Sequence, residues 1–263
     1  MLDFTGQTYL ITGVANKKSV AYFSAKTLSE LGAITVFTVQ TEEHKTKVQK
    51  LFPDSQIIIC DVENKEHFEQ LTSYLKQNKI ELSGILHSMA YANFNPERSK
   101  YHETSLEDFM QAAHISCFSL NQFAQACLPS LKDNSSLVTV GISNTKATSY
   151  GYLGPIKAML ETSVCYLAKS LSEIKKIRVN CVSSGPLKTS ASAGIPNYIE
   201  NFLYAEALTL RQETLHTQEV ANTICFLLSE KSSGINAETI VVDAGMSSNY
   251  FDQKIVKNFA KDL

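Results

Sequence analysis

The chain lacks an excess of charge of either sign. Its 263 residues include 24 lysines and arginines against 26 aspartates and glutamates, for a formal net charge of −2. A global positive field that would recruit nucleic acid or an anionic membrane is therefore excluded. We expect neither nucleic acid nor a membrane as a partner.

The sequence also lacks the spacings of metal sites and of disulfide frameworks. None of the six cysteines forms a CxxC pair, and the histidines show no HxxxH or HxH spacing. We therefore expect reduced, mostly buried thiols and no metal ion. Residues 1–12 contain no basic segment followed by an apolar stretch, and no apolar run reaches about 18 residues. The expected location is the cytoplasm.

What is present is an alternation of apolar runs and amphipathic stretches. Continuous Val/Ile/Leu runs indicate strands that are covered on both faces, and their alternation with helices indicates a parallel sheet. The prediction is an α/β protein with a single-domain Rossmann fold over residues 1–263, built on a doubly wound parallel seven-stranded sheet. The predicted strands are Thr8–Thr12, Ile34–Val39, Gln56–Cys60, Leu82–His87, Ser136–Val140, Ile177–Ser183 and Thr239–Val242. The predicted helices cover about 19–31, 42–51, 64–77, 105–128, 154–173, 197–210 and 217–229.

The loop after the first strand is a candidate phosphate-binding turn. The full GxGxxG fingerprint is missing, and only Gly13 remains, with the small residues Ala15 and Ser19 near it. Gly13 can form a tight turn, and Ser19 can cap the next helix and offer its hydroxyl to a phosphate oxygen. An ordinary strand-to-helix turn with a serine cap explains the same residues.

Acidic residues follow the second and third strands, where an adenosine would lie. Gln40 is followed by Thr41, Glu42 and Glu43, with no arginine, so repulsion of a 2′-phosphate favours NADH over NADPH. Asp61 could accept the adenine amino group. The alternatives are first-turn helix charges for Glu42 and Glu43 and a turn or cap role for Asp61.

Several motifs, taken in order, resemble one family. These are ITGVANKKSVAYFSAKTLSELGA, FTVQ, CDV, ILHSMAYA and IRVNCVSSGPLKTSASAGI, together with Tyr150 and Lys157 at the spacing Y-x6-K. They resemble the NADH-dependent enoyl-acyl-carrier-protein reductases, a divergent branch of the short-chain dehydrogenases, over about residues 4–250. In that branch a glycine followed six residues later by Ser-Ile/Val-Ala replaces GxGxxG, as do Gly13 and Ser19 here.

The resemblance implies contacts to the cofactor NADH. Its pyrophosphate and adenosine are expected at Gly13, Ser19, Val20, Gln40, Asp61 and Val62. Its nicotinamide half is expected at Ser88, Met89, Lys157, Leu187 and Thr189.

The same resemblance implies the chemistry. Tyr150 would donate a hydrogen bond to the thioester oxygen of a trans-2-enoyl substrate, and Lys157 would hold the nicotinamide ribose. Tyr91 and Ala92 would line the substrate pocket, and about 190–210 would cover the acyl chain, with the stretch 190–198 flexible. The implied partner is an acyl carrier protein, and the implied assembly is a homotetramer.

Departures from the family pattern leave alternatives open. The family's second aromatic before the catalytic tyrosine falls on Val140, or on Ile142 if the loop is two residues shorter, and neither residue can donate a hydrogen bond. Ala244 occupies a position where the family has glycine. The alternatives are a short-chain dehydrogenase for a carbonyl/alcohol pair and a catalytically degenerate NAD(H)-binding protein. On residues alone, Tyr150 could also be a surface loop aromatic and Lys157 a solvated helix residue.

Overall fold

Seven parallel strands form the centre of the computed structural model, which describes residues 2–94, 100–189, 192, 195 and 198–260. The strand order is β3-β2-β1-β4-β5-β6-β7, so the order reverses between β1 and β4. This arrangement confirms the predicted doubly wound sheet of a Rossmann fold. The strands are β1 (Thr8–Thr12), β2 (Ile34–Val39), β3 (Gln56–Ile59), β4 (Leu82–His87), β5 (Leu131–Ile142), β6 (Arg178–Ser184) and β7 (Thr239–Val242).

Helices connect the strands and lie on both faces of the sheet. They are α1 (Val20–Glu30), α2 (Glu42–Leu51), α3 (Lys65–Gln77), α4 (Leu106–Ala113), α5 (Ser119–Cys127), α6 (Leu153–Ser172), α7 (Tyr198–Leu208), α8 (Thr217–Leu228) and α9 (Gln253–Phe259). Within the described ranges, none of these helices has the length and hydropathy needed to span a bilayer.

Alternate residues of β1 to β6 pack in two different hydrophobic clusters. Ile11 and Val182 pack in a cluster with side chains from α1 and α8 on one face. Leu10 and Val179 pack in a second cluster with side chains from α3, α5 and α6 on the other face. This two-sided burial is the physical reason that the strand sequences are continuously apolar.

One predicted helix is divided in two. The stretch predicted as a single helix over 105–128 consists of α4, a π-helical turn at His114–Phe118 and α5. The Ser116 hydroxyl, inside that turn, donates to the Tyr91 carbonyl at 3.0 Å and accepts from the Tyr91 N–H at 2.8 Å. The apolar pattern predicts one helix and does not distinguish this π-helical turn, which is a single turn inside a run of helical residues.

Candidate active site

A cavity of about 640 Å³ opens at the carboxyl ends of the strands, across the reversal between β1 and β4. Ligands of doubly wound sheets bind at this position. Every site residue predicted from the sequence except Ala92 lines it: Gly13, Ser19, Val20, Gln40, Asp61, Val62, Ser88, Met89, Tyr91, Tyr150, Lys157, Leu187 and Thr189.

The turn between β1 and α1 is tight and depends on Gly13. Gly13 has φ +81°, and a Cβ built on it would lie 1.8 Å from the carbonyl oxygen of Ser88. Ser19 caps α1, since its hydroxyl accepts from the N–H of Tyr22 at 3.3 Å. The N-terminus of α1 therefore borders the cavity, where its unpaired N–H groups favour a phosphate.

The far end of the cavity carries carboxylates, although not all those expected. The Gln40 amide donates to Asp61 at 3.4 Å, and Asp61 and Glu63 both line the cavity. Glu42 and Glu43 do not line it. They lie in the first turn of α2, where their carboxylates pair with Lys45 and Lys47. The carboxylates that can repel a 2′-phosphate are therefore those of Asp61 and Glu63. His44 also lines this end of the cavity.

Lys157 is a buried ammonium at the opposite end of the cavity. It is 5% exposed, and its Nζ donates to the carbonyl oxygens of Met89 at 3.1 Å and Val140 at 2.8 Å. Burial lowers the pKa of Lys157 to about 8, against the nearby Cys181, Cys117 and Glu161, which raise it. An ammonium has three donors, so one N–H remains for a ligand.

Tyr150 lines the same cavity as this lysine. It ends a 3₁₀ turn at Thr148–Tyr150, just before α6 begins, and Pro155 occupies the first turn of α6, where its missing N–H breaks no helical bond. Burial, and next the proximity of Tyr198, raise the pKa of Tyr150. The phenol therefore stays protonated at neutral pH and can act as a donor.

His87 is a polar residue of this region that the sequence did not single out. It ends β4 and is fully buried, with Nδ1 2.8 Å from the Thr139 hydroxyl and Nε2 2.8 Å from the Ser119 hydroxyl. Burial, and next the charge of Lys157, lower its pKa to about 3, so the ring is neutral. These bonds fix the end of β4 directly before Ser88.

The substrate-facing residues divide into two environments. Tyr91 lines the cavity, and its backbone is held by Ser116. Ala92 does not line the cavity and packs in a separate cluster with Phe94 and Tyr152. Adjacent residues that look equivalent in sequence therefore have different surroundings.

The loop after β6 adds a second tyrosine. The N–H of Leu187 donates to the Tyr198 hydroxyl at 2.8 Å, and this hydroxyl donates to the Leu187 carbonyl at 2.8 Å. Tyr198 lines the same cavity as Tyr150 and Lys157. Residues 190–191, 193–194 and 196–197 of the predicted covering segment lie outside the described residues.

The wall above the end of β5 lacks a hydrogen-bond donor in its side chains. Val140 and Ile142 both line the cavity, with Gly141 between them. The position of the family's second aromatic therefore holds an aliphatic residue, whether it is aligned with Val140 or with Ile142.

Taken together, the cavity joins a phosphate-binding turn, a buried ammonium and a protonated phenol. A phenol and an ammonium that face one cavity can together stabilise negative charge that develops on a carbonyl oxygen. The arrangement suits a reaction in which a dinucleotide and a carbonyl compound meet above the carboxyl ends of β4 and β5.

Comparisons with known proteins identify the family of the chain. Residues 13–247 match the family model described as enoyl-(acyl carrier protein) reductase. The enoyl-acyl-carrier-protein reductase (NADH) of Rickettsia prowazekii is 35% identical over 246 residues, which cover 91% of this chain and 94% of the relative. The corresponding enzyme (NADPH) of Staphylococcus aureus strain MRSA252 is 33% identical over 252 residues, which cover 93% of this chain and 98% of the relative.

A solved structure gives the same result in three dimensions. The crystal structure of enoyl-acyl-carrier-protein reductase (NADH) from Aquifex aeolicus superposes with a TM-score of 0.88 at 31% identity, covering 93% of this chain and 97% of that one. Fold, motifs and full-length similarity coincide. The chain belongs to the enoyl-acyl-carrier-protein reductase family of oxidoreductases.

Proposed function

We propose that this protein reduces the 2,3 double bond of trans-2-enoyl thioesters with NADH, as a step of fatty acid synthesis. One observation carries the proposal. Tyr150 and Lys157, seven residues apart in sequence, face one cavity that continues to the Gly13 turn at the N-terminus of α1. Phenol, ammonium and phosphate-binding turn are thus ordered along the length of a dinucleotide.

The cavity residues fit such a cofactor. The N-terminus of α1 and the Ser19 hydroxyl hold the pyrophosphate, and Asp61 lies at the adenosine end, where Glu63 adds a second carboxylate. Both carboxylates disfavour a 2′-phosphate, which supports NADH over NADPH. Ser88, Met89, Leu187 and Thr189 surround the nicotinamide half.

The protein's own groups act on charge and position. When bound, NADH supplies a hydride to the β-carbon of the enoyl group. The electron pair of the double bond then moves toward the thioester oxygen as an enolate, and a proton taken up from the solvent at the α-carbon completes the saturated thioester. Tyr150 donates its hydroxyl hydrogen bond to that oxygen, where the charge develops. Lys157 holds the ribose hydroxyls with its free N–H, and its charge stabilises the enolate.

The proposal extends to partners and organisation. The substrate carrier is an acyl carrier protein, and the exposed Lys188, whose ammonium lies 4.5 Å from the centre of the Phe202 ring, is a candidate contact for its acidic surface. Residues 1–263 form one domain in which about 190–210 cover the acyl chain and a tail follows residue 249, with α9 in that tail. The assembly is a homotetramer.

A cytoplasmic location is supported by the six reduced thiols, of which only Cys165 is exposed.

The test follows NADH absorbance with crotonyl and longer enoyl thioesters. Tyr150→Phe is expected to lower kcat by about 100-fold, because one donor to the developing oxyanion is lost. Lys157→Ala is expected to raise the Kd of NADH by tenfold or more.

Matched controls separate these effects from general damage. Tyr152→Phe removes a buried phenol that donates to the Asn93 carbonyl at 2.9 Å and does not line the cavity. Lys175→Ala removes an ammonium that also donates to two backbone carbonyls, those of Leu128 and Leu131, away from the cavity. Both controls should keep full activity. Tight NADH binding without turnover on any enoyl thioester would instead identify a degenerate binding protein, and oxidation of simple alcohols alone would identify an ordinary dehydrogenase.

A further inference from the structure

The side chains on one wall of the cavity include no hydrogen-bond donor, whereas a tyrosine hydroxyl lies on another wall. Val140 and Ile142, at the end of β5, offer only aliphatic side chains to the cavity. Tyr198, the first residue of α7, brings a hydroxyl to the same cavity from the side of the β6 loop.

The two phenols of the cavity are close enough to interact electrostatically. Tyr198 is a cause of the raised pKa of Tyr150, after burial. Burial also raises the pKa of Tyr198 itself, against its hydrogen bonds with Ser192 and Leu187. Both hydroxyls therefore keep their protons at neutral pH and remain donors.

The present partner of the Tyr198 hydroxyl can be exchanged at low cost. The hydroxyl donates its one proton to the Leu187 carbonyl, which also accepts from the Ser192 hydroxyl at 2.7 Å and from the Thr189 N–H at 2.9 Å. Loss of Tyr198 would thus leave that carbonyl paired. The Leu187 N–H, which donates to Tyr198, belongs to a residue proposed above to lie around the nicotinamide half. The carboxamide oxygen of a bound cofactor would replace the phenol as the acceptor of this N–H.

We propose that Tyr198 is the second hydrogen-bond donor of the active site, directed at the thioester end of the substrate in place of the donor that Val140 and Ile142 lack. The inference rests on the proposed function, since it concerns the substrate of the same site. In this scheme the carboxamide takes the Leu187 N–H, and the released hydroxyl donates to the substrate from the α7 side while Tyr150 donates from the α6 side.

The experiment compares Tyr198→Phe with Tyr150→Phe and with Tyr74→Phe, a tyrosine of α3 whose hydroxyl donates to the Gln56 side chain at 3.2 Å away from the cavity. With NADH and crotonyl coenzyme A, Tyr198→Phe is expected to lower kcat by about tenfold or more. Its Kd for NADH alone should stay within about threefold, and Tyr74→Phe should match the parent protein. An unchanged kcat overturns the proposal, as does a rate loss explained entirely by weaker NADH binding, because the hydroxyl would then only shape the Leu187 loop.

A second measurement needs no turnover. In the complex with NAD⁺, which has no hydride to give, Tyr198→Phe should weaken crotonyl coenzyme A binding by several-fold and leave NAD⁺ binding unchanged. If the parent protein does not reduce enoyl thioesters, the proposed function fails. The Tyr198 assignment is then decided by this binding result alone, and equal binding by parent and variant overturns it.

Rescue provides the sharpest outcome. Ile142→Tyr in the Tyr198→Phe background returns a phenol to the wall above β5 and should recover part of the lost rate. Thermal unfolding of each variant checks that the fold is retained. If the double variant unfolds, the comparison of Tyr198→Phe with Tyr74→Phe still decides the proposal.

Discussion

At the scale of the residue, Lys157 combines full burial with a functional charge. Its lowered pKa of about 8 means that the folded chain loses this proton well before an unfolded chain, whose lysine has its ordinary value of 10.5. Between these values the unfolded state binds more protons, so the contribution of Lys157 to folding stability rises with pH. Below pH 8 the full cost of the buried charge is present.

The affinity for NADH is expected to move in the opposite direction. Above pH 8 the ammonium is lost from the free protein, so the Kd of NADH should rise through pH 8–9.5 while the free energy of unfolding increases. Fluorescence titration and urea unfolding over this range measure the two trends. Lys157→Met, which carries no titrating group, should bind NADH weakly and lose this pH dependence. A Kd that stays constant in the parent protein would show that the charge of Lys157 is not used in binding.

Gly13 carries a second prediction at this scale. In Gly13→Ala the new Cβ meets the Ser88 carbonyl, a backbone atom held at the end of β4, and the backbone has φ +81°. Overpacking and the left-handed conformation should together cost about 2–4 kcal/mol. Chemical denaturation measures this cost, and NADH titration should show weaker binding because the phosphate turn must shift.

Gly6→Ala is a matched control for this substitution. Gly6 has φ +73°, and no atom lies within 4 Å of its Cβ position. It therefore reports the backbone strain alone, and the difference between the two variants isolates the clash with Ser88. Equal destabilisation by both substitutions would contradict the close approach of the β1–α1 turn to β4.

At the scale of the element, the regular parts of the fold follow from the sequence. Strands such as β1, β2 and β4 begin and end where their apolar runs do, because each is covered on both faces. Ala244, expected at a glycine position, has φ +53°. Where one physical requirement, such as burial or a backbone angle, determines the residue type at a position, the sequence predicts the local structure there.

The site was predictable only where residues lie at fixed offsets within a motif. Tyr150 and Lys157 are seven residues apart and share one local structure, whereas Tyr198 reaches them from another element, 48 residues after Tyr150 by their sequence numbers. The sequence left two roles open for Glu42, repulsion of a 2′-phosphate or a first-turn helix charge, and its carboxylate pairs with Lys45 along α2. Side-chain direction and long-range approach depend on packing that a linear pattern does not contain.

The π-helical turn is the element whose role can be tested directly. Ser116→Ala removes both bonds to the Tyr91 backbone and leaves those groups without their partner, at a cost of about 1–3 kcal/mol. Because Tyr91 lines the cavity, we expect the KM for the enoyl thioester to rise several-fold with little change in the Kd of NADH. Steady-state kinetics and cofactor titration measure the two effects. Ser172→Ala, at an exposed hydroxyl bonded only within α6, should change neither, and a rise in both constants would mean that the turn supports the whole site.

At the scale of the whole molecule, α4, the π-helical turn and α6 pack together and expose large apolar side chains. Phe118 is 56% exposed, Tyr166 is 76% exposed and Met159 is 42% exposed. Met159 and Tyr166 are two turns apart on one face of α6, so the exposed side chains form a stripe rather than scattered points. Contiguous apolar surface of this kind marks a protein interface.

The proposed homotetramer places a second copy of the chain on this stripe. A closed, symmetric assembly uses the same patch on both subunits, so one substitution introduces two charges into each interface. Phe118→Glu and Tyr166→Glu should therefore dissociate the assembly to smaller species, which light scattering coupled to size-exclusion chromatography measures directly. Ile199→Glu, an equally polar change at a 72% exposed position on α7, should leave the mass unchanged. Because α6 also carries Lys157 and follows Tyr150, the dissociated variants should lose thermal stability and activity together. A parent protein that is monomeric at micromolar concentration would remove the tetramer from the proposal while leaving the cavity and its chemistry intact.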